Sequence, residues 1–391
     1  MYTRTFYIEK IKPFIDKPII KVITGMRRVG KSFFLRQIQE HVNRKVDSVV
    51  YIDKESLEFD FIRNYTDLND YVKGKLPRGG YLFVDEIQNI EQWEKAIASL
   101  HGEGFDIYIT GSNAHFLSSD LATLLSGRYV RFDMYPLSFV EYLEFSKTED
   151  AAKGFDVYFK RGGLPAVHNL QGSDEVINQY MASLYDTILL KDIIARFEVR
   201  NVGLFTKISH YLFDNVGNIF SAKSITDYLK AQRIKVGLDT IHNYLEYLCG
   251  AFVFYKVPRY DIKGKRLLEL YEKYYMGDIG LRNALALQPK NQSGVLENIV
   301  FLELQKRGYT VSIGRMGTLE VDFIAERREE IAYFQIAWKV SSEDCLMREL
   351  APLQKIKDQH PKYLLSLDSP LCSNFDGIRH LNLIEFLKQP S

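Results

Sequence analysis

One stretch restricts the folds open to this chain more than any other. Gly25-Met26-Arg27-Arg28-Val29-Gly30-Lys31-Ser32 satisfies GxxxxGK[ST] at every fixed position and directly follows the apolar run Ile19-Ile20-Lys21-Val22-Ile23-Thr24. Glycines let consecutive backbone N–H groups curl around an anion, and a helix starting at Lys31 aims its positive end at the same point. The loop needs a strand before it and a helix after it, and Phe33, Phe34, Leu35 and Ile38 supply the amphipathic face of that helix. Lys31 is expected to reach the β- and γ-phosphates of ATP, and the Ser32 hydroxyl to ligate Mg²⁺. Gly25, Arg28, Gly30, Lys31, Ser32 and Phe33 are the expected nucleotide contacts.

A phosphate loop of this kind requires a second strand ending in acid near the magnesium. Tyr81-Leu82-Phe83-Val84-Asp85-Glu86 has four apolar residues, as a strand buried on both faces requires, and then two carboxylates. Open α/β sheets bind ligands at the C-terminal ends of their strands. Asp85 is therefore the expected magnesium ligand, and Glu86 the general base acting on water. A third strand, Asp106 to Asn113, ends in small polar residues at the same edge. Ser112 and Asn113 either hydrogen-bond the γ-phosphate or the lytic water, or cap a following helix from Asn113 to Leu125. Ser48 to Asp53 and Tyr129 to Met134 read as further strands, so strands and helices alternate and the sheet should be mainly parallel. Arg128, in Ser126-Gly127-Arg128, is a candidate arginine finger acting across a subunit interface, which would make the protein a homo-oligomer.

Composition bounds the remaining classes. With 46% hydrophobic residues among 391, the chain has material for two or three cores. Lys+Arg 51 against Asp+Glu 50 leaves a net charge of +1, so the molecule has no polyelectrolyte character and any basic surface is local. Cys249, Cys345 and Cys372 match no metal spacing, which predicts a reducing compartment without structural zinc. Charges interrupt the first 16 residues and no apolar run approaches 18, so a cytoplasmic protein without a membrane partner is expected.

The ordered set Gly25 to Ser32, Phe83-Val84-Asp85-Glu86-Ile87-Gln88, Ile109 to Asn113, Leu125 to Arg128 and Tyr135 to Tyr142 resembles the prokaryotic AAA-type P-loop ATPases. In that family a domain of unknown function of the DUF4143 type, with a restriction-endonuclease-like fold, lies at the C-terminus. Arg161-Gly162-Gly163-Leu164-Pro165, Lys191-Asp192-Ile193 and Lys273 to Arg282 continue the resemblance, which spans essentially the whole chain. It implies ATP binding much more firmly than any cellular task.

Residues 1–135 are thus read as the ATPase core. Residues 136–202, with helical patterning over Val176 to Ile194, read as a helical lid in which Arg161 and Arg196 are candidate nucleotide sensors. Residues 203–290 read as a winged helix, with helices at Leu204 to Asp214, Ser221 to Lys230 and Leu238 to Cys249. A ribbon pairing Phe252 to Val257 with Leu267 to Tyr271 completes it. Asp239, Thr240, His242 and Asn243 would open the recognition helix, while Lys256, Arg259, Lys263, Lys265 and Arg266 suit phosphate contacts to DNA. Protein docking is the competing use of such a module.

Residues 291–391 resemble the nuclease fold, with Glu297 on a helix and a hairpin of Val321 to Ala325 and Ala332 to Ala337. Where that fold has Glu-x-Lys, this chain has Gln335-Ile336-Ala337, which removes one metal ligand and the lysine that polarises water. Glu320 and Lys339 lie close in sequence without restoring the pair. Asp322 remains, in a degenerate domain suited to binding or assembly.

Overall fold

Apolar runs and the loops between them order the first half of the chain. In the computed structural model, β1 (Ile20–Thr24), β2 (Val49–Asp53), β3 (Tyr81–Asp85), β4 (Asp106–Gly111) and β5 (Tyr129–Asp133) form one five-stranded sheet. Its order is β2-β3-β4-β1-β5 and every pair is parallel. The structure describes residues 2–43, 48–114, 125, 127–170, 172–286, 291–340, 342–369 and 374–389. Most of the predicted helix from Asn113 to Leu125, and Ser126, lie outside the described residues. The chain divides into two compact units, residues 1–135 with 250–252, and residues 136–249 with 253–391.

In the first unit α1 (Thr5–Ile11), α2 (Lys31–Asn43), α3 (Tyr65–Lys75) and α4 (Trp93–Gly102) accompany the sheet. Ile20, Val22, Leu82, Val84, Ile107 and Ile109 pack in one cluster with Leu68, Val72, Ile97 and Leu100. Lys21 is a polar intruder in β1 and is fully buried. Asp106, the first residue of β4, accepts its ammonium proton, and the Tyr108 ring lies 4.9 Å from it. A strand read as apolar thus encloses an ion pair, tolerable because both members are bonded.

The second unit contains a nine-stranded mixed sheet of order β13-β14-β12-β11-β10-β9-β7-β8-β6. β6 (Ile219–Phe220), β7 (Phe254–Asp261) and β8 (Arg266–Met276) form its first part. β9 (Thr310–Met316), β10 (Leu319–Arg327) and β11 (Glu330–Ala337) follow, then β12 (Lys362–Ser366), β13 (Asn374–Phe375) and β14 (Ile378–Asn382). The ribbon expected between residues 252 and 271 is β7 and β8. Its register shifts at Val257/Arg259, where Pro258 cannot donate to the ladder, and β7 then pairs in parallel with β9. Ribbon and C-terminal hairpin therefore belong to one continuous sheet.

Among the described residues, the α-helices of seven residues or more in this unit are α5 (Phe139–Ser146), α6 (Ala151–Arg161), α7 (Asp174–Thr187), α8 (Val202–Asp214), α9 (Ala222–Ala231), α10 (Leu238–Gly250), α11 (Ile279–Leu285), α12 (Gln292–Lys306) and α13 (Glu343–Gln354). Beyond α7 the chain widens into a π-helical segment, Ile188–Ile194, across Lys191-Asp192-Ile193.

Two of the quoted motifs interlock. Asp278 caps α11 and accepts hydrogen bonds from the backbone N–H groups of Gly163 (2.7 Å) and Gly280 (2.8 Å). A Cβ on Gly280 would stand 2.2 Å from the Arg161 carbonyl oxygen, so only glycine admits this approach. Tyr135 to Tyr142 also has a structural use: Ser138 and Glu141 form a capping box at the start of α5, and Lys306 Nζ donates to Ser138 Oγ at 2.6 Å.

Candidate nucleotide site

The parallel strands end together. Thr24 lies opposite Gly111 and Asp133 in register, and Asp53 opposite Asp85, so one sheet edge collects every strand terminus. β4 separates β1 from β3, which sets the loop after β1 about 10 Å from the carboxylates after β3. A lysine side chain spans most of that distance. Gly25 has φ 151°, and a Cβ there would lie 2.2 Å from the Met134 carbonyl oxygen, so the loop can leave β1 only through a glycine. α2 then starts at Lys31. Lys31, only 4% exposed, donates to the carbonyls of Gly25 (3.0 Å) and Met26 (3.2 Å), with Glu86 Oε1 3.6 Å away.

Glu86 follows β3 in the left-handed region (φ 51°, ψ 51°), a conformation that costs a non-glycine residue about 1–2 kcal/mol. That turn directs the side chain toward Lys31. Its backbone N–H donates to Thr110 Oγ1 at 2.9 Å, and the Thr110 hydroxyl donates to Asp85. Thr110, one strand over, thereby fixes both acidic residues. The Ser32 hydroxyl is near enough to Asp85 to favour its anion, so the two expected metal ligands are neighbours. Burial pushes the Asp85 carboxyl above its ordinary range, opposed by the Ser32 and Thr110 hydroxyls, while the charge of Glu86 adds to the rise. Burial would raise Glu86 too, but the charges of Lys31 and Arg27 and hydrogen bonds from Gln88 and Ser112 outweigh it and hold Glu86 below its ordinary range.

Sequence reasoning missed Thr110, Arg27 and Gln88 as members of this group. Gln88 Nε2 donates to Glu86 Oε2 and, at 3.2 Å, to Ser112 Oγ. Gln88 is two residues past Glu86 in a motif already noted, but its partner Ser112 arrives from β4, a tertiary neighbour. Asn113 is fully buried beside it, whereas Arg28 and Phe33 are exposed, Phe33 at 61%. Mg²⁺ suits this donor set: it is a hard cation that keeps several waters and takes one or two oxygen ligands from the protein.

Comparison with known proteins bears on the fold. A model of an AAA domain matches residues 17–143, and one for a domain of unknown function, DUF8612, matches residues 152–292. An uncharacterized protein of Haemophilus influenzae is 35% identical over 401 residues, covering 100% of this chain and 99% of its own length. The chain belongs to the same family as that protein. The uncharacterized protein MJ1544 of Methanocaldococcus jannaschii is 32% identical over 360 residues, 87% of this chain and 79% of its own. The Walker-type ATPase of Pyrococcus abyssi superposes with a TM-score of 0.54 at 15% identity, over 73% of this chain and 96% of that one. The fold is that of a P-loop AAA-type ATPase.

Other predicted residues of this AAA-type protein stand apart from the cluster. Arg128 is exposed, and its carbonyl accepts from Ile20 N, the first residue of β1. It therefore lies at the sheet edge opposite the loop, and a finger role needs a second copy. Arg161 is paired with Asp174 at 2.8 Å, and Arg196 is exposed in a short helical segment. In the ribbon Lys256 is bound to Glu272 at 2.8 Å and Arg259 lies in the β7–β9 pairing, while Lys263, Lys265 and Arg266 are exposed around the turn. Asp239, His242 and Asn243 are exposed on α10, with Thr240 half-buried. Among the described residues no helix is long and apolar enough to cross a membrane.

The nuclease-like residues have become a closed salt-bridge cluster. Lys273 Nζ lies 3.0 Å from Glu297 Oε2 and 2.8 Å from Glu320 Oε1, and Tyr275 donates to the same Glu297 oxygen at 2.7 Å. Asp322 Oδ2 accepts from Ile336 N at 2.7 Å, and Gln335 donates to Glu349 at 3.1 Å. Burial, then the charge of Glu297, lifts the Asp322 carboxyl well above its usual range, opposed by Lys273. Ala337 is buried and Lys339 exposed. The cation at the carboxylates is Lys273, contributed by β8 and not by the hairpin.

Proposed function

We propose that the chain is a Mg²⁺-dependent ATPase whose nucleotide cycle gates contacts made by its second unit. The convergence of Lys31, Ser32, Asp85, Glu86 and Ser112 at one sheet edge carries this reading. Lys31 would leave the carbonyls of Gly25 and Met26 for the β- and γ-phosphates, with Gly30 and Arg28 lining the loop and Phe33 offering an exposed face to the base. Ser32 and Asp85 would hold Mg²⁺, which supplies charge neutralisation on the phosphate oxygens. Glu86, held in its charged form, would take the proton of the attacking water, with Gln88 and Ser112 fixing its carboxylate and Asn113 addressing the γ-phosphate. Arg128 of a second copy would add positive charge in a homo-oligomer.

The test compares Lys31→Ala with Glu86→Gln. The first should lose ATP binding; the second should bind ATP and not turn it over. Unaltered turnover in Glu86→Gln would remove Glu86 as the base.

The output we propose is sequence-independent DNA contact by residues 203–290 acting as a winged helix, through Lys263, Lys265 and Arg266, with Lys256 and Arg259 at its edge. Residues 136–202 would act as the lid, and residues 291–391 as a DUF4143-type nuclease-like domain without nuclease chemistry. Replacing Lys263, Lys265 and Arg266 together should weaken DNA retention and reduce its salt slope. An absence of DNA binding at low salt would refute this output. A slow nucleotide-gated switch is favoured by one observation, the engagement of Lys31 by two carbonyls and Glu86, since that lysine must be released before it can serve phosphate.

A further inference from the structure

A cavity of about 250 Å³ lies within the second unit, beside the interlock of Asp278 with the Gly162-Gly163 turn. Three cationic side chains line it, Lys160 and Arg161 from the end of α6 and Arg282 from α11, against one carboxylate, Asp174. Asp174 is already bound to Arg161 at 2.8 Å. The first turn of α12 also lines it, through Gln292, so a long helix presents its positive end there, whereas the first turn of α7 contributes the Asp174 carboxylate, with Asn178 one turn further on. Phe159, Ile177 and Val295 complete the wall with apolar surface.

Arg282 is the unusual member. It is 3% exposed, yet its Nε has no acceptor. Its remaining bonds are long, 3.3 Å to Asn283 Oδ1 and 3.5 Å to the Asn291 carbonyl, and the charge of Asp214 offsets only part of the cost of its burial. A buried guanidinium with an unmatched N–H is costly, and folds retain such a group where something compensates it. The backbone at this wall is held rigidly: Gly280 packs against the Arg161 carbonyl, and Asp278 ties α11 to the turn after α6. The backbones that carry both arginines are therefore fixed at the wall, the Arg161 guanidinium already bonding Asp174 and the Gly172 carbonyl, and planar guanidinium donors suit a tetrahedral oxyanion.

We infer that this cavity binds a small phosphate anion, held by Arg282, Arg161 and Lys160 and by the first turn of α12. The site lies wholly within the second unit and involves no residue of the P-loop.

Equilibrium dialysis of radiolabelled inorganic phosphate against the full chain tests it, with Lys31→Ala as the background so that the P-loop does not contribute. One saturable site per chain is expected. Lys160→Glu, at an exposed position, should weaken binding at least roughly tenfold, and Arg282→Gln should do the same. Arg282 is buried, so circular dichroism must show Arg282→Gln folded before its affinity counts; Lys160→Glu decides the matter if it is not. No saturable binding to the Lys31→Ala chain, or an unchanged affinity in Lys160→Glu, overturns the inference.

Discussion

Replacing Lys273 with methionine, close in length and uncharged, leaves Glu297, Glu320 and Asp322 facing one another. At 3.0 Å from Glu297, and with an effective dielectric of about 20, the lysine contributes about 5 kcal/mol of gross attraction to that partner alone. Glu320 is more exposed and adds less. Desolvation of the pair offsets part of this, but removing one member leaves a buried uncompensated charge, so the net loss should be about 3–5 kcal/mol. The chain has two tryptophans, Trp93 in the first unit and Trp338 in the second. In a Trp93→Phe background, Trp338 fluorescence during urea unfolding therefore reports the second unit alone.

The deficit of Lys273→Met should shrink as pH falls from 8 to 5. Burial already raises the Asp322 carboxyl and Lys273 opposes that rise, so the variant's folded state takes up a proton more readily than its unfolded state. Stability then increases as pH falls and is lost as pH rises through the folded pKa. Adding Glu297→Gln should recover at least about 1 kcal/mol of the loss, because one uncompensated charge is removed. A loss below about 1 kcal/mol, or strict additivity in the double variant, would refute the view that Lys273 is the counter-ion of this cluster.

Asp278, fully buried, is pushed to about 7 by burial despite the N–H donors of Gly163 and Gly280 that favour its anion. Its folded pKa exceeds the ordinary 3.8, so its contribution is present below about pH 4 and is lost as pH rises toward 7, with a slope of up to about 1.4 kcal/mol per pH unit. Asp278→Asn should flatten that slope in urea titrations between pH 4 and 8; an unchanged slope assigns it to another group. Gln88→Ala should lower kcat roughly ten- to a hundredfold with ATP affinity within about threefold, and the reverse split in steady-state kinetics would make Gln88 a binding residue instead. Gly280→Ala should lower the unfolding midpoint by the equivalent of about 2 kcal/mol or more, although alanine normally favours a helix by about 1 kcal/mol. A neutral result would mean that the Arg161 carbonyl yields easily.

The first unit was legible because each of its strands is a short apolar run followed by the residues that its end requires. Ile20 to Thr24 precedes the glycine loop and Tyr81 to Asp85 ends in acid, so the motif and the strand corroborate each other. The bonds that orient the site were not legible. Thr110 reaches Asp85 and Glu86, and Gln88 reaches Ser112, only because β4 lies between β1 and β3, and that order follows from tertiary packing. The β7–β9 pairing escaped notice for the same reason: the two strands are parallel and non-consecutive, and no turn connects them to signal it. Lys273 belonged to a recognised motif, yet its role depends on Glu297, 24 residues later, and on Glu320.

The quoted motifs therefore divide by what remains unbonded in them, which residue type alone does not reveal. Gly162-Gly163 with Asp278 looks in sequence much like a glycine loop with an acid, but both Asp278 oxygens accept backbone N–H groups and the glycines are filled against neighbouring atoms. Nothing there is left for a ligand. Gln88 keeps a buried amide oxygen without a donor, and Arg282 a buried Nε without an acceptor. A buried polar atom left unpaired costs about 1–3 kcal/mol, so a chain that retains one is either strained there or completed by something it binds. Buried unpaired atoms on Gln37, Asn69, His101, Tyr185, Arg259 and His380 satisfy the same criterion, so an orphan atom points to a ligand only where other polar groups converge on it, as they do around Gln88 and Arg282.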